Sequence, residues 1–92
     1  MLFEWDPEKD QQNQVQHGVS FDEASTVFGD LFALTIDDPD HSVEENRFLT
    51  TGYSNRQRLI IAAHTDRGER VRLINARDVT ATERHIYEEE RK

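Results

Sequence analysis

The chain has 92 residues, a formal net charge of −8, and 35% hydrophobic residues. This length allows one modest hydrophobic core, so we expect a single domain over residues 1–92. Cysteine is absent, which excludes a disulfide scaffold, thiolate metal ligands and a cysteine nucleophile. Neither a signal-peptide pattern nor an apolar run of membrane-spanning length is present, so we expect a cytoplasmic protein with no membrane partner.

The charges are distributed unevenly along the chain. Residues 1–46 carry a balance of −11, residues 47–77 a balance of +5, and residues 78–92 a balance of −2. Nine of the eleven basic residues are arginine, whose planar guanidinium forms bidentate contacts with phosphate or carboxylate. Two readings follow: the basic segment binds the phosphates of a nucleic acid, or its arginines pair with carboxylates elsewhere in the molecule.

The N-terminal part predicts a short strand followed by a helix. Residues 2–5, Leu-Phe-Glu-Trp, are a candidate for a short strand. Asp6 and Pro7 are typical of a helix N-terminus, the first as the capping residue and the second in the first turn. The helix is predicted to run to about Gln16, with Gly18 as a left-handed cap. Because the segment is polar, we expect a surface helix held by few apolar contacts.

A second helix is predicted directly after the first. Ser20 and Glu23 have the spacing of a capping box. One face of this helix carries the apolar residues Phe21, Ala24, Phe28 and Leu31. We expect the core helix to end near Gly29.

Four strands and a last helix are predicted to follow. The strands cover residues 32–36, 47–53, 58–65 and 70–77. A loop at residues 37–42 separates the first two, and the third is apolar enough to lie at the centre of the sheet. Thr80 and Glu83 form a second capping box, which opens a helix to about Glu90. The order β-α-α-β-β-β-β-α predicts an α+β fold, with an antiparallel meander packed on the helix pair and a C-terminal helix.

The pairing of the last two strands decides which arginines lie together. If residues 66–69 form the hairpin loop, with Gly68 at the position that needs a positive φ, Ala63 lies opposite Arg72. Alternation then places Arg72 on one face of the sheet and Arg77 on the other. Arg77 can join the first face only if its strand ends, bends or bulges near residues 75–76.

The available side chains fit RNA cleavage without a metal better than other chemistries. The four histidines have no metal-ligand spacing, and neither a GxSxG turn nor a glycine-rich phosphate loop is present. Attack of a 2′-hydroxyl on the adjacent phosphate needs a general base, a general acid and cations for the developing charge. For the phosphate contacts we select Arg47, Arg72 and Arg77. For proton transfer we select His17, His41 and Glu83, with His64 in reserve. For stacking on an unpaired base, the candidates are Trp5, Tyr53 and Tyr87.

These motifs together resemble the BrnT family, toxins of bacterial type II toxin–antitoxin pairs. The resemblance is carried by residues 3–6 (FEWD), 17–24 (HGVSFDEA), 38–41 (DPDH), 45–48 (ENRF), 58–59 (RL), 70–77 (RVRLINAR) and 83–84 (ER), with Gly52 and Tyr87. It implies a RelE-like ribonuclease fold, inhibition of translation by RNA cleavage, and no cofactor. It also implies a BrnA-like ribbon-helix-helix antitoxin, through which alone operator DNA would be bound, and assembly as a heterotetramer with that antitoxin.

Two positions depart from the family pattern. Gln16 stands where the family usually has lysine, and Asn75 where it usually has serine. If these positions serve catalysis, the chain is a weakened toxin. The alternative function is therefore a catalytically weak or inactive homologue that acts as an antitoxin-binding co-repressor.

Overall fold

The computed structural model describes residues 1–40 and 46–90 and shows one sheet with three helices in this part of the chain. The candidate His41 and the end of the predicted 37–42 loop lie outside the described residues. The elements are β1 Leu2–Glu4, α1 Pro7–His17, α2 Phe21–Ser25, β2 Leu34–Asp37, β3 Arg47–Tyr53, β4 Leu59–Arg67, β5 Arg70–Asp78 and α3 Ala81–Glu90. The predicted order of elements is confirmed. Among the described helices, none is long and apolar enough to cross a membrane.

The sheet is mixed rather than purely antiparallel. Its strand order is β1-β5-β4-β3-β2, and the predicted antiparallel meander is present from β2 to β5. The additional strand β1 pairs with β5 in parallel, from Leu2 opposite Arg70 to Glu4 opposite Arg72. The first seven residues of β4 are buried, which confirms its predicted central place.

The second helix is shorter than predicted. α2 ends at Ser25, and the chain continues as a 3₁₀ turn, Thr26–Gly29. The Thr26 hydroxyl donates to the Glu23 carbonyl at 2.6 Å and accepts from the Asn55 backbone N–H at 2.8 Å. These bonds offer the backbone an alternative to continuing the α-helix.

Two apolar predictions fail at the end of this turn. Leu31 was expected on the core face, but it is 95% exposed because the 3₁₀ turn breaks the helical period before it. Phe32, the expected first residue of β2, lies in a turn before the strand begins at Leu34. Its backbone N–H donates to Asp30 Oδ1 at 2.9 Å, so local turn geometry takes precedence over the apolar alternation.

The core lies between one face of the sheet and α2 with its 3₁₀ extension. Its buried members are Val19, Phe21, Ala24, Val27, Ile60, Ala62, Val71, Leu73 and Ala76. A buried carboxylate fixes the helix above them: Glu23 accepts bonds from Arg58 Nε at 2.9 Å, from Arg58 Nη2, and from Ser54 Oγ at 2.7 Å. The bond from Arg58 is the main cause that lowers the pKa of Glu23. Glu23 thus ties α2 to the β3–β4 turn instead of completing the reciprocal half of the predicted capping box.

The predicted pairing of β4 with β5 is wrong. Gly68 has the expected positive φ of 62°, but both strands extend to the turn, so Arg67 lies opposite Arg70. Arg72 consequently lies opposite Thr65. The register then shifts between Ala63 and His64, which leaves Ile74 as an extra residue in β5.

This bulge changes the face on which the C-terminal half of β5 presents its side chains. Before the bulge Val71 and Leu73 face the core, and after it Ala76 does. Asn75 lies opposite Ala63, and Arg77 opposite Ile61. Arg72 and Arg77 therefore lie on the same face, contrary to simple alternation along the strand.

α1 is attached to the sheet by one buried polar side chain. Asn13 Nδ2 donates to the carbonyls of Val19 and Ala76, both at 2.8 Å, and Asn13 Oδ1 accepts from the Ala76 N–H at 3.1 Å. β1 pairs only with residues 70–72 of β5, so the Asn13 amide satisfies the backbone of β5 where no strand lies beside it. The only clearly apolar residue of α1, Val15, is 84% exposed, which confirms a surface helix with few apolar contacts.

α3 is held at its first turn and at one aromatic residue. Thr80 and Glu83 form the predicted capping box, with N···O distances of 2.8 and 3.2 Å. Glu83 also accepts two bonds from Arg77, at 2.8 and 3.0 Å. The buried Tyr87 donates to Asp30 Oδ2 at 2.5 Å. α3 therefore rests on the face of the sheet opposite α2, over the end where Thr51 and Ile61 lie.

Replacing Asn13 with alanine tests whether its amide holds α1 on the sheet. The change leaves the Ala76 N–H and C=O without their partner in a buried place, so we expect a loss of about 2–4 kcal/mol in the free energy of unfolding. Urea denaturation followed by circular dichroism measures it. Gln14→Ala, on an exposed position of the same helix, is the control and should change stability by less than about 0.5 kcal/mol. Equal losses in the two variants would contradict this role.

Replacing Glu83 with glutamine tests the ion pair with Arg77. The bond from Arg77 is the main cause that lowers the pKa of Glu83 from 4.5 to about 2. Ionised Glu83 is thus favoured in the folded protein, so its stabilisation is complete above pH 4.5 and is lost as the pH falls towards 2. We expect Glu83→Gln to lower stability by about 1–2 kcal/mol at neutral pH, because the pair is partly exposed.

The measurement is the difference in unfolding free energy between wild type and Glu83→Gln as a function of pH. This difference should shrink between pH 4.5 and 2. Glu88→Gln controls for the loss of one acid from an exposed position of the same helix. If the difference in unfolding free energy between wild type and Glu83→Gln stayed constant over this pH range, the ion pair with Arg77 would not be the cause of that difference.

Candidate functional site

The described residues form an open cavity of about 530 Å³ between α1 and the face of the sheet opposite α2. Its wall comes from α1, its floor from the three central strands, and part of its rim from the segment after β2. The lining residues are Lys9, Gln12, Asn13, Gln16, Asp38, Asp40, Arg47, Leu49, Ala63, Ile74, Asn75 and Arg77.

Strand pairing explains how the floor is built. Leu49, Ala63 and Asn75 lie opposite one another on β3, β4 and β5, and form a row across the middle. Arg47 lies one row away at Thr65, and Arg77 lies one row away in the other direction at Ile61. Thr65 and Ile61 are four residues apart on β4, about 13 Å at the strand rise. Arg47 and Arg77 therefore flank a floor whose central row is apolar at Leu49 and Ala63 and ends in the amide of Asn75.

The sequence did not predict that α1 forms a wall of the site, although Gln16, one of its lining residues, stands out as a departure from the family pattern. Lys9, Gln12 and Gln16 project from α1 into the cavity, while the Asn13 amide is occupied by backbone groups. One signal was available: Lys9 is the only basic residue before Arg47. The spacing of the glutamines gave no chemical signal, because polar residues at that spacing also occur on any solvated helix face.

The segment after β2 brings two carboxylates to the rim. The Asp38 backbone N–H donates to the Arg47 carbonyl at 2.8 Å, which aligns this segment with β3. The Asp40 N–H donates to Asp38 Oδ1 at 3.1 Å, which fixes the turn between them. Asp38 is buried and Asp40 is exposed. A carboxylate that shares a cavity with guanidiniums can accept a proton or orient a cation, so Asp40 is a further functional candidate. In the sequence it stands in the loop and in the DPDH motif, and it was not selected as a site residue.

The cations of the cavity are partly neutralised. Lys9, Arg47 and Arg77 share the lining with the carboxylates of Asp38 and Asp40. Outside the lining, Glu83 binds Arg77 and raises the pKa of its guanidinium. The site is consequently suited to one or two phosphate groups, not to a long polyanionic backbone.

The predicted phosphate residues are separated into two places. Arg47 and Arg77 line the same cavity. Arg72 is on the same face but does not line it, and its Nη1 donates to Glu4 Oε2 at 2.9 Å. This ion pair joins β5 to β1. For Arg72, therefore, the structure agrees with the hypothesis that the arginines pair with carboxylates of the same molecule.

The predicted proton-transfer residues are also not together. His17 is half-buried, ends α1 and is not among the lining residues. Glu83 reaches the cavity only through Arg77, and His41 lies outside the described residues. The reserve candidate His64 is buried on the core side, where Nε2 lies 2.7 Å from Thr50 Oγ1. Burial lowers the pKa of His64, and its ring packs between Phe28 and Phe48.

The aromatic residues considered for base stacking are used elsewhere in the fold. Trp5 makes an edge contact with Phe21 beside the core. Tyr53 makes an edge contact with Tyr87, which is buried beneath α3. None of the described residues that line the cavity is aromatic. The cavity can therefore bind a phosphodiester with guanidiniums and amides, without an aromatic stacking platform.

Comparison with known proteins assigns the chain to a family. The family model for the ribonuclease toxin BrnT of type II toxin–antitoxin systems matches residues 5–83. A crystal structure of the Brucella abortus ribonuclease toxin BrnT superposes with a TM-score of 0.63 at 19% identity, covering 87% of this chain and 99% of that one. This second likeness shows a shared fold. A search of curated proteins found no match. The chain belongs to the BrnT family of ribonuclease toxins of type II toxin–antitoxin systems.

Proposed function

We propose that this protein is an active endoribonuclease that cleaves RNA without a metal ion, with Arg47 and Arg77 holding the scissile phosphate. The observation that carries the proposal is the presence of both arginines in one cavity, at opposite ends of an apolar floor. Guanidiniums placed where negative charge develops stabilise a phosphorane-like transition state. In this mechanism the guanidiniums supply the positive charge that the phosphate meets.

Arg77 can bind Glu83 and a phosphate at the same time. Its guanidinium has five N–H donors. Three bonds are accounted for, two to Glu83 and one from Nη1 to the Asp78 carbonyl. The remaining donors are directed by a guanidinium that Glu83 fixes in position. A fixed donor needs little reorganisation when the charge develops.

Cleavage proceeds by attack of the 2′-oxygen on the adjacent phosphorus while a base removes its proton. The bond to the 5′-oxygen then breaks, and an acid protonates that oxygen. For these steps His17 and His41 remain the candidates, and Asp40 joins them because it lines the cavity. A carboxylate with a pKa of about 2, whose two oxygens already accept bonds from Arg77 and Thr80, is a weak proton acceptor and is not protonated at physiological pH. We therefore assign Glu83 to positioning Arg77 and not to proton transfer.

Membership of a type II toxin–antitoxin family implies an antitoxin partner and an RNA substrate. We propose that the antitoxin is a BrnA-like ribbon-helix-helix protein and that the pair forms a heterotetramer bound to operator DNA through the antitoxin alone. We further propose a RelE-like toxin domain that acts in the cytoplasm and inhibits translation by cleaving mRNA.

One observation favours a second candidate function. Arg72 and Arg77 are both paired with carboxylates, and the net charge is −8, so few cations are left for RNA. A homologue with weak or no catalysis would retain antitoxin binding and act as a co-repressor. This function predicts operator binding with the antitoxin but no RNA cleavage by the purified protein.

Removing either cavity arginine tests the ribonuclease proposal. We expect Arg47→Ala and Arg77→Ala each to lower the cleavage rate about 10²–10³-fold, as loss of one charge-stabilising donor typically does. The measurement is cleavage of a labelled single-stranded RNA in buffer with EDTA, where wild type should remain active. Arg70→Ala, on the same strand but away from the cavity lining, is the control and should retain activity. Cleavage that disappears with EDTA would contradict the metal-free mechanism.

Expression in a bacterium separates the two candidate functions. Induction of an active toxin without antitoxin should arrest growth and translation, and Arg77→Ala should relieve the arrest. Equal growth with wild type and variant, combined with no cleavage in vitro, would favour the co-repressor function over the ribonuclease.

A further inference from the structure

The volume and shape of the cavity limit the form of nucleic acid that it can accept. About 530 Å³ falls within the range of cavities that hold one small molecule. A double helix cannot enter such a space. Sequence-specific binding of RNA is usually directed at unpaired nucleotides, whose bases can turn out of the strand.

The lining offers a separate surface for each part of one nucleotide: the face of the base, its polar edge and the phosphate. Leu49, Ala63 and Ile74 form an apolar floor on which the face of a base can lie. Arg47 and Arg77, on either side of this floor, are the cations that the scissile phosphate of that nucleotide would meet. The base would then lie between α1 and β5, with its polar edge towards their side chains.

Three amide side chains are available at that edge. Gln12 and Gln16 are four residues apart on one face of α1, and Asn75 faces them from the floor of the cavity. The bulge at Ile74 brings Asn75 into the row of Leu49 and Ala63. Amides donate and accept at once, which matches the edge of a base, and an amide can bind adenine in bidentate fashion.

We propose that the cavity binds a single unpaired nucleotide of single-stranded RNA and that Asn75, with Gln12 and Gln16, reads its base. This inference rests on the proposed ribonuclease function and adds a specificity to it. The amides carry the recognition because no described lining residue is aromatic. Asn13, although it is also an amide of the lining, takes no part, because its groups are bound to the backbone of Val19 and Ala76.

Binding of non-cleavable RNA tests the inference separately from catalysis. The probes are four fluorescent oligoribonucleotides that differ only at one central base and carry a 2′-O-methyl group there, which prevents attack. Fluorescence anisotropy at low salt gives their dissociation constants, and a complementary strand converts each probe into a duplex. We expect the best base to bind about five- to 150-fold more tightly than the worst, as one bidentate contact provides. We expect each duplex to bind at least about tenfold more weakly than its single strand.

Variants identify the residues that read the base. Asn75→Ala should reduce the preference among the four probes to less than about threefold. Gln12→Ala, on an exposed helix position, should reduce it partially. Gln14→Ala, which lies outside the lining, should leave it unchanged. A circular dichroism spectrum and melting temperature for each variant separate loss of recognition from loss of fold.

The outcomes distinguish this inference from the function on which it rests. Equal affinity of wild type for the four probes, an unchanged preference in Asn75→Ala and Gln12→Ala, or equal binding of duplex and single strand would overturn base reading. Cleavage of ordinary RNA could still be observed in each case, and the ribonuclease function would stand. Discrimination among the probes without cleavage of the matching unmodified RNA would instead support the inference and contradict catalysis.

Discussion

The structure of the cavity depends on the bonds between the Asn13 amide and the backbone of Ala76. β1 is three residues long and covers β5 only up to Arg72, so the rest of that edge of β5 would otherwise lack partners. Asn13 satisfies both backbone groups of Ala76 and also binds the carbonyl of Val19, which lies in the connection between α1 and α2. A buried amide of this kind is strongly directional, because any displacement leaves several polar groups without partners. α1 is thereby held beside the sheet without apolar packing of its own, and its polar face remains free to form a wall.

The bulge at Ile74 is the second constraint. It determines on which face of the sheet the charged side chain of Arg77 lies, while the packing of the core is kept. An uninterrupted β5 would direct Arg72 and Arg77 to opposite faces. The extra residue keeps Leu73 and Ala76 in the core while it moves Asn75 and Arg77 to the face with Arg47. Glu83, itself fixed by the capping box of α3, then holds the guanidinium of Arg77. The start of α3 and the end of β5 thus form one unit, so the stability of this helix and the position of the Arg77 guanidinium are coupled.

Local signals in the sequence predicted most of the fold but not the geometry of the site. The caps at Asp6, Ser20 and Thr80 and the glycines at 18 and 68 act within a few residues, and the structure confirms each of them. The order of elements follows from such signals. The parallel pairing of β1 and the role of Asn13 depend on partners more than sixty residues away, and no local pattern reports them. The bulge was foreseen only as a condition for Arg77 to join the site, because an inserted residue in a strand has no distinct composition.

The same distinction applies to the candidate residues. Arg47 and Arg77 were identified by residue type, and their common cavity depends on the register. Arg72 has the same chemistry but pairs with Glu4, since the parallel strand brings that carboxylate beside it. Leu31 shows the opposite error: its helical spacing was right for a longer helix, but the bonds of Thr26 end the helix before that position.

The charge of the molecule bears on how such a site can select its substrate. Affinity for nucleic acids usually arises from many Lys and Arg contacts to phosphates, and it falls steeply with salt. Among the described residues, three cations and two carboxylates line this cavity. At physiological salt the remaining acidic surface is screened beyond about 8 Å. Contacts to one or two phosphates give a weak attraction and little discrimination between RNAs. Selectivity at such a site has to come from the groups that face the base, and in this chain those groups are the amides of α1 and of the bulged strand.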